Sequence, residues 1–105
     1  MALHATKDHE AAREAYARVI RRNRNDVVAL FNFAQLLGVE MNRYDQAMEY
    51  IQMAFALAPN NPDVLDTLGS ILFRQGRLEQ AEHALRRSVQ IAPMPSNCLH
   101  LGRIL

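Results

Sequence analysis

The sequence predicts an all-α fold, a solenoid of antiparallel helix pairs with about six helices. Three observations predict it. Small and apolar residues recur at a near-constant interval: from Ala81, Leu85 and Ser88, a step of 34 residues back gives Ala47, Ile51 and Ala54, and a further 35 gives Ala12, Tyr16 and Val19. The segments between them repeat as well. Leu65, Leu68, Gly69 and Leu72 match Leu30, Phe33, Ala34 and Leu37, 35 residues earlier, and Cys98, Leu101, Gly102 and Leu105, 33 residues later. Finally, few Val and Ile, no Trp and no strict polar–apolar alternation leave no strand pattern. A period near 34 residues is the mark of stacked helix-turn-helix units, each too thin to bury its own apolar face.

Taken in order, residues 1–6 are expected to be a disordered lead, with Thr6 capping a first helix over 7–22 and Asp8 and Glu10 favourably placed in its first turn. The polar, basic stretch after Arg21 ends it. Asp26 caps a second helix over 26–39. The following turn, Val39 to Arg43, is one residue longer than its counterpart, and Asn42 stands where Gly76 stands one unit later, both suited to left-handed backbone. A third helix, 43–57, stops before Pro59, which a helix interior does not tolerate. Asn61 caps the fourth (62–75), with Pro62 in its first turn where a missing N–H does no harm, and Gly76 closes it. The fifth spans 78–91. Pro93 and Pro95 bracket a turn, and the sixth spans 96–105. The domain division is a half repeat (7–25), two full repeats (26–60, 61–94) and a half repeat (95–105), all one domain.

Composition excludes more than it identifies. The 105 residues suit a single domain, and half are apolar. No apolar run is long enough to span a bilayer and no signal-peptide core opens the chain, which sets cytoplasmic as the expected compartment. The formal charge of +1 gives no general attraction to nucleic acid or anionic membrane, and one cysteine forms no internal disulfide.

The residues at these intervals resemble the tetratricopeptide repeat. In 61–94, Leu65 stands at the family's Trp position, Leu68 and Gly69 supply its Leu-Gly pair, Leu72 takes the Tyr place, and Ala81, Leu85 and Pro93 the Ala, Phe and Pro. In 26–60 the same places hold Leu30, Phe33, Ala34, Leu37, Ala47, Ile51, Ala54 and Pro59. The first helix resembles a second half-repeat, with Arg24 in place of the terminal Pro, and the last helix a first half-repeat. The resemblance implies a right-handed α-solenoid and a non-catalytic scaffold that binds a peptide or helix along a concave groove lined by the first helix of each unit. Carried onto this chain, the groove-facing positions are Phe31 and Gln35 (beside Val28), Asp66, Ser70, Phe73 and Arg74 (beside Asp63), and Leu99 and Arg103. Some members clamp acidic C-terminal peptides; of the matching places here only Arg103 fits, and Asp66 repels a carboxylate.

Two alternatives stand beside that expectation. One is self-association, as a homo-oligomer or as part of a longer array, through the repeat ends Ala12, Tyr16, Val19, Leu101 and Leu105. The other is an RNA-binding helical repeat reading bases with Asn32, Thr67 and His100, a weakly matched set. No catalytic or metal-binding constellation is expected and no cofactor. Cys98 takes a repeat core position, which predicts burial, and His100 two residues on points to another face. The four histidines share no metal-ligand spacing. Glu79 and Glu82 read as a solvated face beside Arg77 and Arg86; Arg21, Arg22 and Arg24 as a solvated helix end; Met41, Met48, Met53 and Met94 as core filler.

Overall fold

A computed structural model describes the backbone from Ala2 to Leu105 and side chains from Asp8 onward. Six helices follow one another: α1 (Ala2–Arg22), α2 (Val27–Gln35), α3 (Tyr44–Leu57), α4 (Pro62–Arg74), α5 (Leu78–Ile91) and α6 (Pro95–Ile104). The described residues contain no strand. The first helix begins at Ala2, ahead of the expected start. Nothing from Ala2 to Arg22 breaks a helix and alanine recurs throughout, so the expected cap Thr6 lies inside it. Met1 of the expected lead lies outside the described residues.

The caps explain where the other helices begin. Asp26 is extended and its carboxylate accepts the Ala29 N–H at 3.1 Å. Asn61 accepts from Asp63 and Val64 at 2.9 and 3.3 Å, with Pro62 at the first helical position. At the end of α4, Gly76 takes φ +82°, and Arg77 N–H reaches back to the Leu72 carbonyl while Gly76 N–H reaches Phe73, satisfying two carbonyls that the helix leaves free. Asn42 takes φ 56° at the corresponding turn of the earlier unit, where the Arg43 N–H reaches back to the Leu37 carbonyl.

Between α2 and Asn42 the backbone widens. Leu36–Glu40 form a π-helical turn, with Met41 N–H bonded to the Leu36 carbonyl at 3.1 Å and Arg43 N–H to Leu37 at 2.7 Å. The extra residue of this unit, expected in the turn, is absorbed inside the helix instead. The close packing beneath explains why. A Cβ on Gly38 would lie 2.8 Å from Ile71 Cγ1 and 3.1 Å from Ala47 Cβ, so the helix keeps its contact with α3 and α4 and swells by one residue.

Small residues set the spacing elsewhere. A Cβ on Gly69 would sit 2.5 Å from Leu85 Cγ, so α4 and α5 touch at near backbone distance there. Ala34, Ala47, Ala54 and Ala81 are fully buried, and around them Leu30, Leu37, Ile51, Leu65, Ile71 and Leu85 fill the interior. Each such side chain contributes roughly 1.5–3 kcal/mol of burial. Tyr16 of α1 and Tyr50 of α3 lie 6.0 and 4.6 Å from Phe33, tying the first helix to the unit that follows.

The helices form two rows. α2, α4 and α6 approach one another in succession, whereas among the described residues α1, α3 and α5 have no Cα approach within 8 Å between them. The inner row is crowded and the outer row splayed, which curves the solenoid with α2, α4 and α6 on its concave side.

Candidate functional site

The concave side carries two adjoining cavities. The first, about 180 Å³, is lined by Phe31, Asn32 and Gln35 of α2, Asp63, Asp66, Thr67 and Ser70 of α4, and Ser96 and His100 of α6. The second, about 70 Å³, lies toward the C-terminal end of α4 and shares Gln35, Ser70 and His100, adding Val39, Phe73, Arg74, Leu85 and Arg103. A wider depression of about 680 Å³ lies on the outer row between α1 and α3, lined by Arg13, Arg18, Arg21 and Arg24 with Glu14 and Glu49. Two of its four cations are answered by acids: Arg13 pairs with Glu10 at 3.0 Å and Arg18 with Glu14 at 3.9 Å. Its size reflects the splay of the outer helices rather than a shaped site.

A polar network makes the groove floor. His100 Nδ1 lies 2.7 Å from Asp66 Oδ1 and 3.0 Å from Ser70 Oγ, and Ser96 Oγ donates to Asp66 Oδ2 at 2.7 Å. An ionised carboxylate only accepts, so the hydrogen between Asp66 and the ring belongs to Nδ1, which leaves Nε2 uncommitted. Asp66 and Ser70 are each 7 % exposed. They were expected as free ligand-facing groups and are instead held by α6, because Ser96 and His100 come over them one repeat later. The arrangement is not a nucleophile relay. Ser70 and Asp66 meet the same ring nitrogen, whereas a Ser-His-Asp relay needs one on each. Among the described residues no group of three or more His, Cys, Asp and Glu is placed to hold a metal ion.

Above this floor stand the accessible residues. Gln35, Arg74 and Arg103 are exposed, Phe73 is 38 % exposed and Leu99 56 %, while Phe31 is half-buried against the core. Gln35, Ser70, Phe73, Arg74 and Arg103 therefore come together at one cavity, and Phe31, Gln35, Asp66 and Ser70 at the other; Leu99 and Val28 line neither. Asn32, Thr67 and His100, from equivalent places in three units, share the acidic cavity.

Two further elements lay outside the sequence expectations. Asn97 is fully buried, donates to Ser88 Oγ and to the Ala92 carbonyl at 2.9 Å each, and accepts the Met94 N–H at 2.7 Å. Ser88 passes the chain on to the Pro62 carbonyl at 2.7 Å, so α4, α5 and α6 are joined by one buried polar thread. The other is Cys98, expected in the core and found exposed. Its counterparts Leu30 and Leu65 are buried, packed in their own units against a second helix, and no described residue covers Cys98 in that way. The methionines divide: Met41 and Met48 pack against the core, while Met53 is 37 % exposed. Glu82 bonds Arg86 at 3.1 Å on a solvated face. The described helices include none long and apolar enough to cross a membrane.

Two family models described as tetratricopeptide repeat match this sequence, one over residues 38–101 and one over residues 1–26. A TPR repeat-containing protein of Pseudomonas aeruginosa is 38% identical over 84 residues, which is 80% of this chain but 14% of that protein. The small glutamine-rich tetratricopeptide repeat-containing protein 2 of Mycosarcoma maydis is 30% identical over 89 residues, 85% of this chain and 25% of its own length. The chain thus spans a minor part of either relative. Among solved structures, MamA from Desulfovibrio magneticus RS-1 superposes with a TM-score of 0.79 at 22% identity, covering 98% of this chain and 58% of that one. The second TPR domain of human RPAP3, in complex with an HSP70 peptide, superposes with a TM-score of 0.81 at 19% identity over 94% of this chain and 82% of that one. At such identities the likeness is one of fold.

Proposed function

The chain belongs to the tetratricopeptide repeat family, and from that premise we propose that it is a non-catalytic interaction module whose concave face binds a protein segment. The observation that carries this reading is the pairing of accessible Gln35, Phe73, Arg74 and Arg103 with adjoining cavities over a hydrogen-bonded polar floor. An apolar ring flanked by guanidinium groups in a concavity suits a peptide better than a flat partner. The RPAP3 domain of like fold, solved with a peptide, lends the reading support by analogy of fold.

The test is peptide binding to groove variants. Ten-residue peptides selected from a randomised display library on the whole chain should lose at least about tenfold in affinity on Phe73→Ala or Arg103→Ala, as anchors at an interface centre do. Circular dichroism checks that each variant is folded. Binders indifferent to both changes would place recognition elsewhere.

Self-association is a second reading, favoured by an apolar face of α6 that no described residue covers. Leu105 is 72 % exposed and a Cβ on Gly102 would meet nothing within 4 Å, where the equivalent Gly69 is packed against Leu85. Light scattering across a concentration series tests it: growth in mass supports self-association, and a constant monomer mass overturns it.

A further inference from the structure

The two groove cavities carry opposite charge. The cavity at the start of α4 holds two carboxylates. Asp63 is exposed and in no ion pair among the described residues; Asp66 uses two of its roughly four acceptor positions on Ser96 and His100. Phe31 lines the same cavity, and an aromatic ring is a favourable neighbour for a cation. The cavity at the end of α4 holds Arg74 and Arg103, neither with a described carboxylate within 4.0 Å, beside Phe73.

Resting on the groove-binding reading, we propose that the ligand is an extended peptide with one basic and one acidic side chain four residues apart, the basic one over Asp63, Asp66 and Phe31 and the acidic one between Arg74 and Arg103. The spacing follows from α4 itself. Asp66 and Asp63 lie 8 and 11 residues before Arg74, roughly 12–16 Å at 1.5 Å per helical residue. An extended chain rises about 3.3 Å per residue, so four residues cover about 13 Å and return to the same face of the strand. In a helical ligand the same spacing would bring the two charges only about 6 Å apart, too close to reach both cavities. A doubly acidic peptide would set one carboxylate against Asp63 and Asp66. A doubly basic one would meet two unpaired guanidinium groups. Charge selection thus excludes wrong partners as well as attracting the right one.

The experiment pans a randomised ten-residue display library on the whole chain and on two charge-reversed variants, Asp63→Lys and Arg74→Glu/Arg103→Glu. Selected peptides are then measured by fluorescence anisotropy. On the unaltered chain, binders should carry Lys or Arg four residues from Asp or Glu, with neutralisation of either raising Kd about tenfold. Asp63→Lys, which leaves Asp66 in place, should remove the selection for a basic residue at that position, and the double variant should select peptides with two basic residues. Binders that lack the charge pair, keep the same composition on both variants, yet weaken on Phe73→Ala would overturn the charge rule and leave groove binding standing. Binders indifferent to both Phe73→Ala and Arg103→Ala, or no binders at all, would overturn both.

Discussion

Replacing Gly69 by Ala tests the packing that brings α4 and α5 together, and with it the curvature that makes a groove. The added Cβ would meet three Leu85 side-chain atoms at 2.5, 2.9 and 3.2 Å. Leu85 is fully buried, and beside it lies only the small groove cavity of about 70 Å³ that it helps to line. Overpacking of this kind costs about 1–3 kcal/mol, and three contacts this close belong at the upper end. Against it, Ala is favoured over Gly in a helix interior by about 1 kcal/mol. The net loss is therefore about 2 kcal/mol, which for a chain of this length lowers Tm by roughly 9 °C at about 2.1 cal/mol/K of unfolding entropy per residue. Gly102→Ala is the control, since its Cβ meets nothing within 4 Å and only the helix preference remains. Thermal melts followed by far-UV circular dichroism should thus separate the two variants in sign. The clash is also removable: Leu85→Ala alone leaves a cavity costing about 2–5 kcal/mol, and Gly69→Ala partly fills it, so the double variant should be more stable than the sum of the single losses. Equal melting points for Gly69→Ala and Gly102→Ala would refute the close approach of α4 and α5.

Other expectations follow from single features. Ser88→Ala removes the link between Asn97 and the Pro62 carbonyl and should cost about 1–3 kcal/mol by urea denaturation; a cost near zero would mean that the thread is not structural. Glu10 has its carboxyl held below the ordinary range, first by the hydrogen bond from Arg13; desolvation opposes this, and the charges of Arg13 and Arg43 and the Arg43 hydrogen bond add to the lowering. A lowered folded-state pKa means stability that is present above the ordinary carboxylate range and lost as pH falls through the folded value. Glu10→Gln should then flatten the acid limb of the stability–pH curve while leaving its neutral-to-alkaline shape alone; an unchanged acid limb would contradict a stabilising role for the Arg13 and Arg43 contacts with Glu10. Cys98 should react with a thiol reagent in the folded protein about as fast as in the denatured chain, since its side chain is exposed; protection would place a cover over α6.

The fold was legible because repeat packing is written in residue size. Gly69, Ala34, Ala47 and Ala81 mark where helices touch, and their spacing alone gave the helix pairs; Asn42 and Gly76 marked the left-handed turns that the backbone adopts. What escaped is what depends on contacts across units. The extra residue near Val39 could be counted but not located. Whether a helix bulges or a turn lengthens depends on Gly38 meeting Ile71 from another helix. Asp66 and Ser70 were named as groove residues without the bonds from His100 and Ser96, which lie 30 or more residues away. Cys98 was misplaced because a core position is a property of the neighbouring helix, and among the described residues none covers it. Asn97 stands where Val64 stands one unit earlier, and a polar residue at a repeat core position was the one signal that could have exposed the buried thread.

The most direct measurement of where this module binds is a backbone amide shift map by NMR, titrating the chain with a peptide selected from the display library. Binding on the inner row predicts that the largest changes fall on Gln35, Val39, Phe73, Arg74, His100 and Arg103, with α1, α3 and α5 nearly silent. Changes centred instead on the outer depression, at Arg18, Arg21, Glu49 and Met53, would contradict it.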